Sequence, residues 1–203
     1  MKAITEQLDE AGFLFTRFPA IDGAILRDNK DLVDLGMLAT RFDAPVKEHP
    51  IHHNQETTNR NPLWTIPITG GTAATALSHL HILLYGQVEE PNIMILEDDI
   101  RIVVDKNQFW TLYESYFQQL PKDWDIFYLG TEDQRCLARN VASNIKTIAE
   151  GGICMPGGYA WVVNHTSIDK LIRYLSPLHE EVDLHKARYF AGQGDKKIEL
   201  SKN

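Results

Sequence analysis

Ile93-Met94-Ile95-Leu96-Glu97-Asp98-Asp99-Ile100 is the stretch that decides the fold. Four apolar residues in a row read as a strand buried on both faces, and three carboxylates follow without a break. In an open α/β sheet, ligands bind in the crevice outside the carboxyl ends of the strands. This strand therefore delivers its negative charge where a ligand would lie. Adjacent carboxylates repel one another, and a divalent cation relieves the repulsion; ligands that offer only oxygen suit Mg²⁺ or Mn²⁺. A cation held there would in turn hold a phosphorylated substrate. The competing reading is a strand that ends in a solvated acidic turn, and the tripeptide alone supports both equally.

The flanking segments alternate between helix and strand. Gly70-Gly71 opens a helix from about 72 to 85, with Leu77, Leu80, Leu84 and the adjacent His81 at helical spacing. After the acidic cluster, residues from about 106 to 120 form another helix, with Phe109, Leu112, Tyr113, Tyr116 and Phe117 on its apolar side and Pro121 limiting it. Trp124-Asp125-Ile126-Phe127-Tyr128-Leu129 reads as a strand ending at Gly130, 144–149 as a weaker strand, and Tyr159-Ala160-Trp161-Val162-Val163 as a third. Thr166 or Ser167 caps a last amphipathic helix through Ile168, Leu171, Ile172 and Leu175. At the amino end, Ile4, Leu8 and Ala11 predict a helix stopped by Gly12. Phe13–Phe18 then reads as a strand closing at Pro19, and Ala20-Ile21-Asp22-Gly23 as a turn in which Asp-Gly supports positive φ. Residues 31–40 suit a short helix. This alternation argues for an α/β sandwich.

Helix and strand periodicity both fail from about 42 to 69, which holds four of the nine prolines and His49, His52 and His53. A loop of that length in a compact domain is functional or disordered. The histidines are loosely spaced and nothing orients their rings, so a metal site there is disfavoured. Gly151-Gly152 and Pro156-Gly157-Gly158 frame a mobile segment. One domain spans 1–190, and 191–203 is a polar tail that frays. There are no internal repeats.

The 203 residues suffice for one domain with a full core, and 43% hydrophobic with 24% charged residues is ordinary for a soluble globular protein. A net charge of −8 argues against nucleic acid or an anionic membrane surface as the main partner. Cys136 and Cys154 have no metal-type spacing and suggest no disulfide framework, which fits a reducing compartment. No apolar run approaches the length of a transmembrane helix, and no signal-peptide core opens the chain. The expected location is the cytoplasm, with a membrane-peripheral enzyme also allowed.

Several segments, in order, resemble glycosyltransferase family 25, which includes bacterial lipooligosaccharide sugar transferases and collagen galactosyltransferases. They are Phe18-Pro19-Ala20-Ile21-Asp22-Gly23, Ala76-Leu77-Ser78-His79-Leu80, Ile95-Leu96-Glu97-Asp98-Asp99-Ile100, Trp124–Gly130, Gly158-Tyr159-Ala160-Trp161-Val162-Val163 and Glu181-Val182-Asp183. The resemblance implies a GT-A-like nucleotide-diphospho-sugar transferase fold, a mixed sheet between helices. It also implies transfer of a galactose-like hexose from a nucleotide sugar, commonly UDP-linked, to a saccharide or glycoprotein hydroxyl, with Mn²⁺ or Mg²⁺ as cofactor. Glu97-Asp98-Asp99 would be the counterpart of the Asp-X-Asp motif. By that likeness Asp99 is the best direct metal ligand, and Glu97 or Asp98 reaches the ribose or a metal-bound water; Glu97 is the second candidate ligand. Asp183 is the candidate general base, beside the alternative of a loop carboxylate with no chemistry. Ser78 and His79 would line the pocket, or His79 would pack against the sheet through a satisfied hydrogen bond. Asp22 would contact the nucleotide, or simply make its turn. Gly158 and Tyr159 would let backbone approach the sugar, or only lead into a strand.

Two departures from the family stand out. The family usually opens with a Val-Ile-Asn-Leu-like strand and a basic turn, whereas Met1 begins inside what reads as the following helix. The expected fold therefore lacks the family's first strand. Gly71-Thr72-Ala73-Ala74-Thr75 stands where the family shows Gly-Glu-Ile-Gly-Cys, so Thr72 replaces a carboxylate. Three functions compete: an active metal-dependent glycosyltransferase, a degenerate non-catalytic binding module, and a phosphohydrolase that uses the same carboxylates but has no nucleophile motif.

Overall fold

The computed structural model describes residues 4–26, 70–89, 92–130, 137–148 and 159–176. In chain order these form α1 (Ile4–Ala11), α2 (Gly70–Glu89), β1 (Asn92–Leu96), α3 (Lys106–Phe117), β2 (Ile126–Tyr128), β3 (Leu137–Asn140), β4 (Lys146–Ile148) and β5 (Ala160–Asn164). A 3₁₀ turn (His165–Ser167) then leads into α4 (Ile168–Leu175). The short helix expected over 31–40, the irregular stretch 42–69, both cysteines, the glycines at 151–152 and 157–158, and the polar tail lie outside the described residues.

Three strands make the central sheet in the order β1-β5-β2. Ile93 stands opposite Val163 and Ile95 opposite Trp161 on one side of β5; Phe127 stands opposite Val162 on the other. β1 and β2 thus run parallel to each other, with β5 antiparallel between them. The mixed sheet expected from the resemblance is, among the described strands, antiparallel at every hydrogen-bonded pair. The cause is the insertion of β5 between two strands joined through α3.

Both faces of this sheet are covered, which explains why β5 reads as an unbroken apolar run. Trp161 and Val163 face α2 and α4, packing with Ala73, Leu77, Leu83 and Leu171. Val162 and Phe127 face the other way, against Tyr113, Tyr116 and Phe117 of α3. The layers are therefore helix, sheet, helix.

The helix ends follow their sequence signals closely. Gly12 takes φ +71, Phe13 N donates to Leu8 O at 2.9 Å and Gly12 N donates to Asp9 O at 3.0 Å, which together close α1 with a left-handed glycine. Asp105 caps α3, its carboxylate accepting from Gln108 N at 3.0 Å. At the last helix the cap differs from expectation. Asn164 Oδ1 accepts from Thr166 N at 3.1 Å, while the Ser167 hydroxyl donates to Asp125 Oδ1 at 2.6 Å. Lys170 Nζ reaches the same carboxylate at 2.9 Å.

Three further expectations are corrected. Phe13–Phe18 is not a strand. Its aromatics anchor it to helices instead, Phe13 against Phe109 and Trp110, and Phe18 against His81 and Tyr85. Gly23 does not use positive φ; among the described residues only Gly12 does. The Asp22 carboxylate holds that turn by accepting from Ala24 N at 2.9 Å. Finally, the weak strand near 146 pairs with β3, a partner the sequence did not signal.

Candidate active site

β1 ends where the carboxylates begin, so backbone pairing decides where each one goes. Glu97 N still donates to Tyr159 O at 2.8 Å, which extends the β1–β5 ladder by one residue. Alternation along the strand then sends Glu97 to the same face as Ile95, toward α2. There Glu97 Oε1 stands 3.4 Å from His79 Nε2. Asp98 and Asp99 leave the ladder in a turn and are both exposed. Asp99 lines a cavity on the opposite face, between the sheet and α3.

His79 is 4% exposed and lies on α2 with its ring centroid 5.6 Å from that of Trp161. Its Nδ1 is buried without a hydrogen-bond partner among the described residues. Ser78, beside it, is buried. Its hydroxyl donates to Ala74 O at 2.7 Å and accepts from Ile21 N at 2.9 Å. Ser78 thereby ties the segment leading into Asp22 onto α2. Asp22 itself is exposed on that turn. The segment that departs from the family pattern, 71–75, forms the first turns of α2. Ala73 and Ala74 are buried there, and Thr75 Oγ1 donates to Gly71 O at 3.1 Å.

The cavity has a volume of about 610 Å³. It lies at the carboxyl ends of β1 and β2, with Asp99 and Arg101 on one side and Leu129, Gly130 and Tyr159 on another. α3 supplies an aromatic and aliphatic wall, including Phe109, Leu112 and Tyr113. Burial pushes the Tyr113 phenol above the usual tyrosine value, so it stays a neutral hydrogen-bond donor at physiological pH. The stretch 100–104 that forms one side of the cavity is held from α1, since Gln7 Oε1 accepts from Ile102 N at 3.1 Å. The sequence had marked Phe109, Leu112 and Tyr113 only as the apolar side of a helix. No sequence signal marks that side as a cavity wall, because the strand read over 124–129 is only three residues long in the structure.

The structure thus brings His79, Glu97 and Tyr159 together around the β1–β5 junction, turns Ser78 to the 20–22 segment, and leaves Asp98 and Asp99 in the open turn. Asp22 sits nearby in the chain segment clamped by Ser78. Gly158 and Asp183 lie outside the described residues. No group of three or more metal-binding side chains gathers among the described residues. A cation that bridges a diphosphate needs only one or two protein carboxylates, the phosphates and water supplying the rest. Asp99 and Asp98 offer the hard oxygen donors that such an ion takes.

The profile of glycosyltransferase family 25, described as an LPS biosynthesis protein, matches residues 1–185. The chain belongs to glycosyltransferase family 25. It is therefore a glycosyltransferase, an enzyme that passes a sugar to an acceptor. No curated protein and no solved structure matches the chain at a significant level. The match covers every described element, so the acidic turn of the family 25 enzyme is placed within the matched region. Among the described residues, no helix is long and apolar enough to cross a membrane.

Proposed function

We propose that this family 25 enzyme moves a galactose-like hexose from a nucleotide-sugar donor, commonly UDP-linked, to a saccharide or glycoprotein hydroxyl, using Mn²⁺ or Mg²⁺. The observation that carries the reading is the acidic turn directly beyond the carboxyl end of β1, with Asp99 at the mouth of a cavity of about 610 Å³. In open parallel α/β sheets ligands bind outside the carboxyl ends of the strands, and β1 and β2, parallel to each other across β5, present theirs to the same side. A GT-A-like arrangement is part of the same proposal. It is supported by parallel β1 and β2 opening their carboxyl ends to one side.

In transfer, the acceptor oxygen bonds to the anomeric carbon while that carbon's bond to the diphosphate breaks. The acceptor proton passes to a base, and the electron pair leaves with the diphosphate. Asp99, with Asp98 beside it, would hold the cation; Glu97, the second candidate ligand in the sequence, is turned to the other face toward His79. When bound, the cation supplies positive charge where the leaving diphosphate develops its negative charge. Glu97 is oriented by His79 and suits a ribose hydroxyl or a metal-bound water. Asp22, Ser78, Gly158 and Tyr159 are the proposed donor and acceptor contacts, Ser78 acting through the segment it clamps. Asp183 remains the proposed base that receives the acceptor proton.

Thermal unfolding with UDP, with and without Mn²⁺, tests the reading, because a ligand that binds only the folded state raises apparent stability. UDP is expected to raise the melting temperature only when Mn²⁺ is present, and Asp99→Ala is expected to abolish that rise. A UDP-induced rise that is equal with and without Mn²⁺, or that survives in Asp99→Ala, would overturn the metal assignment.

A further inference from the structure

Two hydrogen bonds to the backbone bracket the acidic turn, and they come from different sources. Before the turn, Glu97 N donates to Tyr159 O at 2.8 Å, main chain to main chain. After it, Ile102 N donates to Gln7 Oε1 at 3.1 Å. The second bond is thus made by a side chain of α1, 95 residues away in sequence. Asp98 and Asp99 stand between the two bonds. A backbone N–H is met only by an acceptor, so within the Gln7 amide the oxygen alone can serve.

The place of Gln7 on its helix sharpens the point. Ile4, Leu8 and Ala11 form the inward stripe of α1, and Leu8 and Ala11 are buried. Gln7 follows Ile4 by one turn and precedes Ala11 by one turn, so it shares that stripe, and it is half-buried. Packing alone would favour an apolar side chain there. The glutamine instead gives up part of its hydration and directs its oxygen to the amide of Ile102. Other contacts dock α1 on α3. Trp110 Nε1 donates to Ala11 O at 2.9 Å, and Phe13 packs on both Phe109 and Trp110 with ring centroids 5.0 Å away. The Gln7 amide is the part of α1 that acts on the turn.

We propose that Gln7 is a positioning residue for sugar transfer. It fixes the far end of the turn, and so holds the Asp98 and Asp99 carboxylates where the donor's cation and diphosphate bind. The proposal rests on the metal–diphosphate reading above. An ion held by one or two protein carboxylates is sensitive to where those carboxylates stand. Removing a group that orients metal ligands typically costs roughly 10–100-fold in affinity.

The test compares Gln7→Leu, which has no acceptor, with Gln7→Glu, which keeps an oxygen at the same reach. Trp110→Phe is the control, because it removes the other bond between α1 and α3 and leaves the turn alone. All are made in the whole chain, and UDP binding in the presence of Mn²⁺ is measured by titration calorimetry. Gln7→Leu is expected to bind UDP–Mn²⁺ at least about 10-fold more weakly than the native chain. Gln7→Glu and Trp110→Phe are expected to stay close to the native value. Should Gln7→Leu fail to fold, Gln7→Asn takes its place, its amide being one methylene short. Backbone ¹⁵N relaxation of the ligand-free protein gives a second measurement that owes nothing to UDP. Order parameters at 98–101 are expected to fall from about 0.85 toward 0.6 in Gln7→Leu and to recover in Gln7→Glu. Native UDP–Mn²⁺ affinity in a folded Gln7→Leu protein overturns the proposal. So do equal losses in Gln7→Leu and Trp110→Phe, since Gln7 would then only help α1 to dock. A native chain that does not bind UDP–Mn²⁺ overturns the metal–diphosphate reading. In that case order parameters that still fall in Gln7→Leu support the clamp on the turn, and unchanged ones overturn it as well.

Discussion

His79 Nε2 lies 3.4 Å from Glu97 Oε1, and this contact joins the middle of α2 to the end of β1. The histidine side chain is 5% exposed and the glutamate 27%, so the pair sits at the boundary between core and crevice. His79→Ala removes the partner of Glu97 and opens a void against Trp161. A loss of about 1–3 kcal/mol in urea unfolding is expected. Glu97→Gln, which still offers an oxygen to Nε2, should retain most of the stability that Glu97→Ala loses. No loss in Glu97→Ala would show that the contact contributes nothing.

Asp125 gathers two donors from α4 and its entry turn, the Ser167 hydroxyl at 2.6 Å and Lys170 Nζ at 2.9 Å. Ser167→Ala should cost about 1 kcal/mol, as for a typical intramolecular hydrogen bond. Lys170→Ala should cost less than about 1 kcal/mol, because its side chain is 45% exposed and solvent screens the charge. A double-mutant cycle of Asp125→Ala with Ser167→Ala should show coupling above about 0.5 kcal/mol. Additive losses would mean that the hydroxyl bond does not stabilise α4.

Gly86 lets α2 approach β1. A Cβ on it would collide with the side chain of Ile93. Gly86→Ala is therefore expected to lower stability by about 1–3 kcal/mol despite alanine's better helix propensity. Adding Ile93→Ala removes the colliding atoms and should recover part of the loss. A Gly86→Ala variant more stable than the native chain would contradict the close approach.

The Tyr113 phenol is held above its ordinary value of 10.0 by burial. The folded protein keeps that proton at a pH where the unfolded chain has lost it. Stability should be unaffected by this group below pH 10 and should fall as pH rises through the raised folded value. Tyr113→Phe should flatten that part of the alkaline profile, measured by denaturant unfolding across the range. An identical profile in the variant would exclude Tyr113 as the source.

Much of the fold was legible because its signals are local. The apolar run before Glu97, the Gly12 stop and the unbroken apolar β5 each appear within a few residues of sequence. The errors arise where distant partners decide. Phe13–Phe18 has strand composition, yet its rings find Phe109, Trp110, His81 and Tyr85, so no ladder forms. β3 has little strand character and exists because β4 pairs with it. At the site, the acidic cluster and His79 were readable as residue types. Their separation to opposite faces was not, because it depends on where the β1–β5 ladder stops, at the bond from Glu97 N to Tyr159 O. The cavity was hidden for the same reason. Its wall on α3 reads as ordinary core until the shortness of β2 is known.

The central position of β5 also fixes the order in which the enzyme is assembled during synthesis. β1 and β2 both pair with a strand made later, and the partners of β1 lie more than sixty residues downstream. A chain emerging from the ribosome exposes its three carboxylates long before residues 160–164 are available to anchor the turn that carries them. Contacts so distant in sequence form slowly, because the intervening loop must first be closed. The growing chain thus cannot complete the β1–β5 ladder, or fix the turn beyond it, until residues 160–164 have been translated.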